Sequence, residues 1–255
     1  MMQFTSRTAA VTVDPAAGGR LAELVVHGHP VLVARDQDPM RWGSYPMVPF
    51  AGRIRHGRFT FDGATHELPV NLGPHAIHGY GYTEPWEIID DQSIGWQFAA
   101  PWPFAGRAVQ RFTLTDTHLE LSMQVTADER QPLMAGWHPW FRRRLDNGAT
   151  VTLDVGPATM YALDHEAIPT GELVAPPPGP WDNCFTDLVH EPTLRWGDDE
   201  LVLRLSSTAD HWVVFTEPEH AVCVEPQSGA PDEINRRAPV FEAGKTLETV
   251  FTISW

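Results

Sequence analysis

The chain is short of several residue types that carry chemistry or anchoring, and each shortage excludes something. Of its 18 basic residues only Lys245 is a lysine, so a Schiff-base mechanism has a single candidate, set in the turn-like Glu242-Ala-Gly-Lys245. The two cysteines, Cys184 and Cys223, are too few for a disulfide framework or a zinc ribbon. Free thiols in a reducing cytoplasm are the simplest expectation. No apolar run approaches the ~18 residues of a membrane span. The opening MMQFTSRTAAVTV lacks a charged region followed by an apolar one, so no signal peptide and no membrane partner are expected. The formal net charge of −15 argues against nucleic acid, because phosphate binding needs clustered cation. Gly-x-Ser-x-Gly, Gly-x-Gly-x-x-Gly and the P-loop pattern are absent, which removes three familiar catalytic and nucleotide-binding signatures. Helical periodicity sustained over about 12 residues is missing as well.

What the chain has is short strands and turns. Its 255 residues can bury a full core, and 23 Pro with 20 Gly suit many short strands joined by turns. Arg111–Val125 alternates most clearly: Phe112 and Leu114, then Leu119, Leu121, Met123 and Val125, share one face across a turn at Asp116-Thr117. Strands are expected at residues 9–13, 21–26, 31–34, 58–61, 86–90, 95–100, 134–141, 149–155, 160–163, 201–205, 212–215, 221–225 and 246–254. Residues 45–57, 71–82 and the proline-rich 169–193 read as ordered, irregular stretches, the last too long to be a mere connector. The fold class predicted is all-β, a large sandwich or barrel formed as a single domain over residues 1–255.

Five polar residues fall in the irregular stretches or at strand ends: Arg53, His78, His138, Asp182 and Glu225. Glu225 ends the run Ala221-Val-Cys-Val and precedes a stiff tail with Pro226, Gly229 and Pro231. It is either the first solvated residue after a strand or a general base held by the backbone ladder. A carboxylate and two histidines suffice for paired proton transfer. Arginine and aspartate can bind hydroxyls, and ten tryptophans offer flat faces to sugar C–H groups. His75 and His78 form a His-x-x-His pair that, with Glu225 or His138, could instead hold a metal.

Taken in order, the motifs resemble those of the aldose 1-epimerase (galactose mutarotase) family. Phe50-Ala-Gly-Arg53-Ile-Arg-His-Gly-Arg-Phe59 is similar to its early Asn-Arg-Ile…Gly-x-Phe segment, and Pro74-His-Ala-Ile-His78-Gly to its Leu-His-Gly-Gly segment. Trp137-His138-Pro-Trp-Phe141 and Trp181-Asp182-Asn-Cys-Phe185 resemble two further segments. Val224-Glu225-Pro-Gln-Ser-Gly-Ala-Pro-Asp-Glu-Ile-Asn235 resembles the segment around the family's base. The resemblance implies a supersandwich with an open cleft, and a cofactor-free, metal-free isomerase of hexose metabolism. Carried over by position, it implies Glu225 as base, His138 as acid to the ring oxygen, His78 as hydrogen-bond donor to that oxygen, and Arg53 and Asp182 as ligands of sugar hydroxyls.

The expected partner is a small sugar, met in the cytoplasm by a monomer or homodimer. Gly52 in place of Asn, Tyr80-Gly81 after His78-Gly79, and Arg142-Arg-Arg144 depart from the family pattern. If the arginine run faces the cleft, with Arg55 or Arg58 near, it suits a C6-anionic sugar (a hexose 6-phosphate or sulfo-sugar). A non-catalytic carbohydrate-binding module and a metal-dependent enzyme built on His75, His78 and Glu225 are the competing readings.

Overall fold

A computed structural model describes residues 1–156, 159–198 and 201–255. Two antiparallel sheets dominate. The larger has eleven strands and runs Met2–Thr5, Ala9–Asp14, Arg20–Val26, Ser44–Met47, Gly136–Arg142, Ala221–Gln227, His211–Phe215, Asp182–Thr186, Thr159–Leu163 and Pro169–Val174, with His29–Pro30 paired to the third. The smaller has eight: Glu87–Ile88, Ser93–Gln97, Gly106–Leu114, His118–Ala127, Thr246–Ser254, Leu201–Ser207, Thr193–Trp196 and Val151–Asp154. Among the described residues the only α-helix is Glu233–Arg237, and no helix is long and apolar enough to cross a membrane.

The alternation that marked Arg111–Val125 builds the centre of the smaller sheet. Residues 106–114 pair with 118–127 in unbroken register, and the latter with Thr246–Ser254. Their inward side chains, among them Phe112, Leu121, Met123 and Phe251, meet Val11, Leu24, Trp137, Phe141 and Val224 of the larger sheet in one core. One polar thread crosses it. Gln110 accepts from Trp137 Nε1 at 2.6 Å and donates to the Gly19 carbonyl at 2.8 Å. With both ends satisfied, its burial costs little. It also ties the strand Gly136–Arg142 from behind.

Several strands lie where the sequence reads as irregular. Ser44–Met47 carries Pro46 in a central position, and Asp182–Thr186 and Pro169–Val174 lie inside the proline-rich 169–193 stretch. The last closes the path at the sheet edge, where a missing N–H is tolerated. The strand expected at 31–34 is replaced by His29–Pro30 and an isolated bridge at Leu32.

Candidate active site

Strand order gathers the polar residues. Across five neighbouring strands, Tyr45 lies opposite His138, His138 contacts Glu225, Glu225 pairs with Val213, and Val213 with Cys184. Side chains alternate across a strand. Trp140 therefore faces the same way as His138, Gln227 the same way as Glu225, and Asp182 the same way as Cys184. Trp137, Phe141, Val222 and Val224 go to the core between the sheets, and the opposite face carries the site.

Arg53 and His78 arrive by another route. The short ribbon Arg53–Ile54 with Ala76–Ile77 sets Arg53 opposite Ile77, and the His78 N–H donates to the Gly52 carbonyl at 2.9 Å. Gly52 has φ +65, and a Cβ there would lie 2.9 Å from Pro231. Its departure from the family's Asn thus has a local cause, since that backbone and that crowding both favour glycine. The motif tail clamps the same segment. Asp232 accepts the Arg55 N–H at 2.9 Å, and Asn235 donates to the Arg58 carbonyl at 3.0 Å.

All five expected residues, Arg53, His78, His138, Asp182 and Glu225, line one cavity of about 510 Å³. His138 Nε2 lies 3.1 Å from Glu225 Oε1, with the residues only 5% and 1% exposed. His78 stands edge-on to His138, ring centroids 5.0 Å apart, and His138 is stacked between Tyr45 (4.8 Å) and Trp140 (5.3 Å). Arg53 Nη2 donates to Asp182 Oδ2 at 2.8 Å, and its Nη1 to the Ala167 carbonyl at 3.2 Å. Burial dominates the proton affinities. It pushes the Glu225 carboxyl well above the usual carboxylate range, with Asp182 adding to the effect, and lowers His138 to about 3. Burial, then the neighbouring His138 and Arg53, hold His78 well below the usual imidazole range.

Other expected residues lie elsewhere. His75 accepts the His56 N–H at Nδ1 (3.1 Å) and meets the Glu166 carbonyl at Nε2 (3.1 Å), outside the cavity lining. None of the arginine run lines the cavity. Arg142 is paired with Asp146, Arg143 donates to the carbonyls of Thr216, Pro218 and Ala221, and Arg144 to that of Gly148. Arg55 is held by Asp164 and Glu166, and Arg58 lines a separate groove.

A metal-capable set exists without His75, on His78 together with both of the alternatives expected beside it. His78, His138 and Glu225 each offer a ligand atom within 4.8 Å of the others, which matches the three protein ligands of a catalytic zinc site. A metal-bound imidazole normally donates its second N–H to a carbonyl or carboxylate. His138 faces Glu225 through Nε2, and among the described residues its Nδ1 has no partner, so no carbonyl or carboxylate of the protein orients that ring on an ion.

Residue-by-residue reading of the sequence missed Tyr45, Trp140 and Gln227, all in the lining. The last two sit two places along from His138 and Glu225, a spacing that puts them on the same strand face. It also missed Arg20. This fully buried guanidinium donates to the carbonyls of Trp42 and Pro39, both at 2.6 Å, and so holds the loop that brings Asp38, Met40 and Arg41 to the cavity rim.

Solved structures share this architecture. A galactose mutarotase-like protein from Clostridium acetobutylicum superimposes with a TM-score of 0.84 at 16% identity, covering 98% of this chain and 93% of the other. The GalM/aldose epimerase homologue from C. elegans gives 0.81 at 17%, covering 99% and 97%. In sequence, the uncharacterized protein YphB of Escherichia coli K12 is 25% identical over 222 residues, 75% of each chain. Residues 5–254 match the family model for aldose 1-epimerase, so the chain belongs to the aldose 1-epimerase family, which with the fold supports a mutarotase-like isomerase function.

Proposed function

We propose that the protein interconverts the α and β anomers of a free, neutral hexopyranose by general acid/base ring opening and closure, without a cofactor. The observation that carries this reading is the 3.1 Å contact between His138 Nε2 and Glu225 Oε1 in the buried cavity. Opening a hemiacetal needs a proton taken from the anomeric hydroxyl and one given to the ring oxygen. Both oxygens are bonded to C1, so acid and base must converge on neighbouring atoms. A touching imidazole and carboxyl do so. Glycoside hydrolysis instead uses two carboxyl groups about 5 Å or more apart, flanking a leaving group, and here the second carboxylate, Asp182, is taken up by Arg53.

The proton inventory agrees. Burial favours the neutral forms of both groups, so a proton shared by the pair rests on Glu225 rather than on His138. The tautomer with that proton on His138 is the one that opens the ring. Glu225 takes the O1 proton, His138 delivers its own to the ring oxygen, and the C1–O bond breaks. The open aldehyde then faces the low-energy neutral pair. Rotation about C1–C2 and closure with reversed proton transfers give the other anomer. His78 stands where it can hydrogen-bond the ring oxygen, and Arg53 and Asp182 take more distant hydroxyls. Each positioned acid or base contributes about 10²–10⁴-fold, enough for a reaction that water alone performs slowly.

Charge supports a neutral substrate over a C6-anionic one. Three carboxylates (Asp38, Asp182, Glu217) line the cavity beside the proton-holding Glu225, against two guanidinium groups, Arg41 and Arg53, each already paired with an acid. Polarimetry of freshly dissolved α-D-glucose and α-D-galactose tests the proposal. Acceleration over buffer is expected, and Glu225→Gln should lose about 10³-fold of it. An unchanged rate in the variant would remove Glu225 from the mechanism. Faster relaxation of hexose 6-phosphates than of free hexoses would overturn the neutral substrate. Sugar binding with no acceleration would favour a binding module.

A further inference from the structure

Five atoms of cavity-lining side chains are buried polar atoms without a partner among the described residues: Tyr45 Oη, His78 Nδ1, His138 Nδ1, Trp140 Nε1 and Gln227 Oε1. Buried polar groups are nearly always paired, so each marks a bond left for a ligand or a water to complete. Gln227 differs from the rest because its other end is already committed. Its Nε2 donates to Glu225 Oε2 at 3.2 Å. The orientation of the amide follows from the proton count: the proton shared with His138 lies at Oε1, so Oε2 is an acceptor whether Glu225 is ionised or not, and an amide oxygen turned toward it would meet no hydrogen. Glu225 is therefore gripped at both oxygens, Oε1 by His138 and Oε2 by Gln227. Gly136, paired opposite Gln227, keeps the surrounding space clear. A Cβ there would come within 2.5 Å of the Pro226 carbonyl oxygen and 3.2 Å of Gln227 Cα.

We propose that Gln227 both positions Glu225 and reads the hydroxyl on C2 of the substrate, an inference that rests on the mutarotase reading. The amide N–H fixes which carboxylate oxygen meets the anomeric hydroxyl. The amide oxygen, on the same carbon as the nitrogen that touches Glu225, lies beside the place where O1 must sit. Around C1 the ring oxygen has no hydrogen to donate, so C2 carries the nearest hydroxyl that can fill this acceptor. The bond from Nε2 also favours the ionised carboxyl, opposing part of the rise that burial imposes on Glu225. A group that acts this way leaves two separable traces, one in the titration of Glu225 and one in the choice of sugar.

The test compares wild type with Gln227→Met, which keeps length and bulk without the amide; Gln227→Asn serves if Met disturbs folding. Difference infrared spectroscopy of the carboxylic acid C=O band, assigned with Glu225→Gln, follows the titration of Glu225 without any turnover. That titration is expected at higher pH in the variant. Polarimetry on D-glucose and 2-deoxy-D-glucose, each corrected for its buffer rate, reads the second trace. Wild type should favour glucose by roughly 10-fold, the scale of one hydrogen bond, and the variant should treat the two sugars nearly alike. An unmoved titration would remove the positioning role, and a preference that survives in the variant would remove the contact to the C2 hydroxyl. If wild type accelerated neither sugar, the mutarotase reading and the C2 assignment would fall together, while the infrared shift would still report the Gln227–Glu225 contact.

Discussion

The two faces of the strands Gly136–Arg142 and Ala221–Gln227 share one backbone and are about equally buried, yet they follow opposite rules. On the inner face Trp137, Phe141, Val222 and Val224 are packed with apolar neighbours, and the one polar contact there, Trp137 to Gln110, is complete at both ends. On the outer face His138, Trp140 and Gln227 each leave an atom unpaired, and Glu225 has its proton affinity displaced by burial. Burial alone therefore does not distinguish core from site. On these two strands burial left unsatisfied does, because there the unpaired atoms of His138, Trp140 and Gln227 all belong to side chains that line the cavity, whereas those of Ser44, Tyr80 and Thr249 lie outside it.

Substitutions on each face can break or sharpen this contrast. The largest effect on the inner face is expected from Phe141→Ala. Removing a fully buried ring should cost about 3–5 kcal/mol in denaturant unfolding and leave mutarotation per folded molecule within about threefold. A proportionate loss of rate would show that the faces are coupled rather than independent. On the outer face Asp182→Asn removes the charged partner of Arg53 and should raise KM for hexose about 10-fold with kcat little changed, as read from polarimetric saturation. A fall in kcat at constant KM would place Asp182 in the proton transfers instead.

The smallest effect concerns Glu225 and runs against intuition, since losing the carboxyl proposed as the base should stabilise the fold. Its folded-state affinity for a proton exceeds that of the unfolded chain, whose Glu titrates near about 4.3. As pH rises above that value the unfolded state ionises more readily, and stability is lost progressively until the folded-state carboxyl also titrates. Glu225→Gln escapes this loss. Its Tm advantage should be ~2–4 °C near neutral pH and vanish below about pH 4. An advantage that persisted in acid would point to packing rather than to charge.

Much of this was legible in the chain where a single rule governed. Alternation alone located Thr246–Ser254 and the hairpin around Asp116-Thr117, because each strand there has one apolar and one polar face. It failed for Ser44–Met47, whose four residues are all buried between two packed layers and interrupted by Pro46. It also failed for Asp182–Thr186, hidden in a proline-rich stretch. In the site, Glu225 stood out as the acid ending an apolar run and His138 through the Trp137-His138-Pro-Trp-Phe141 motif, but Trp140 and Gln227 did not, since a tryptophan and a glutamine near a strand end are ordinary. The choice between His75 and His78 was not legible at all. It depends on the chain turning at His78, at φ 66, just after Ala76–Ile77, and no spacing rule encodes that turn. The arginine run stays out of the cavity, its three side chains spent on carbonyls and on Asp146.

Arg143 carries one more consequence. By holding the carbonyls of Thr216, Pro218 and Ala221 it fastens the connection that sets Glu217, Pro218 and His220 at the cavity mouth, as Arg20 fastens the loop bearing Asp38, Met40 and Arg41. Glu225 and His138 sit in mid-ladder, whereas these rim residues all lie in connections between strands. Heredity can therefore edit the two independently. Insertions and exchanges in the fastened loops can reshape the cavity mouth while the buried contact of His138 with Glu225 stays in place. One scaffold can thus supply a lineage of proteins with a shared buried centre and divergent rims.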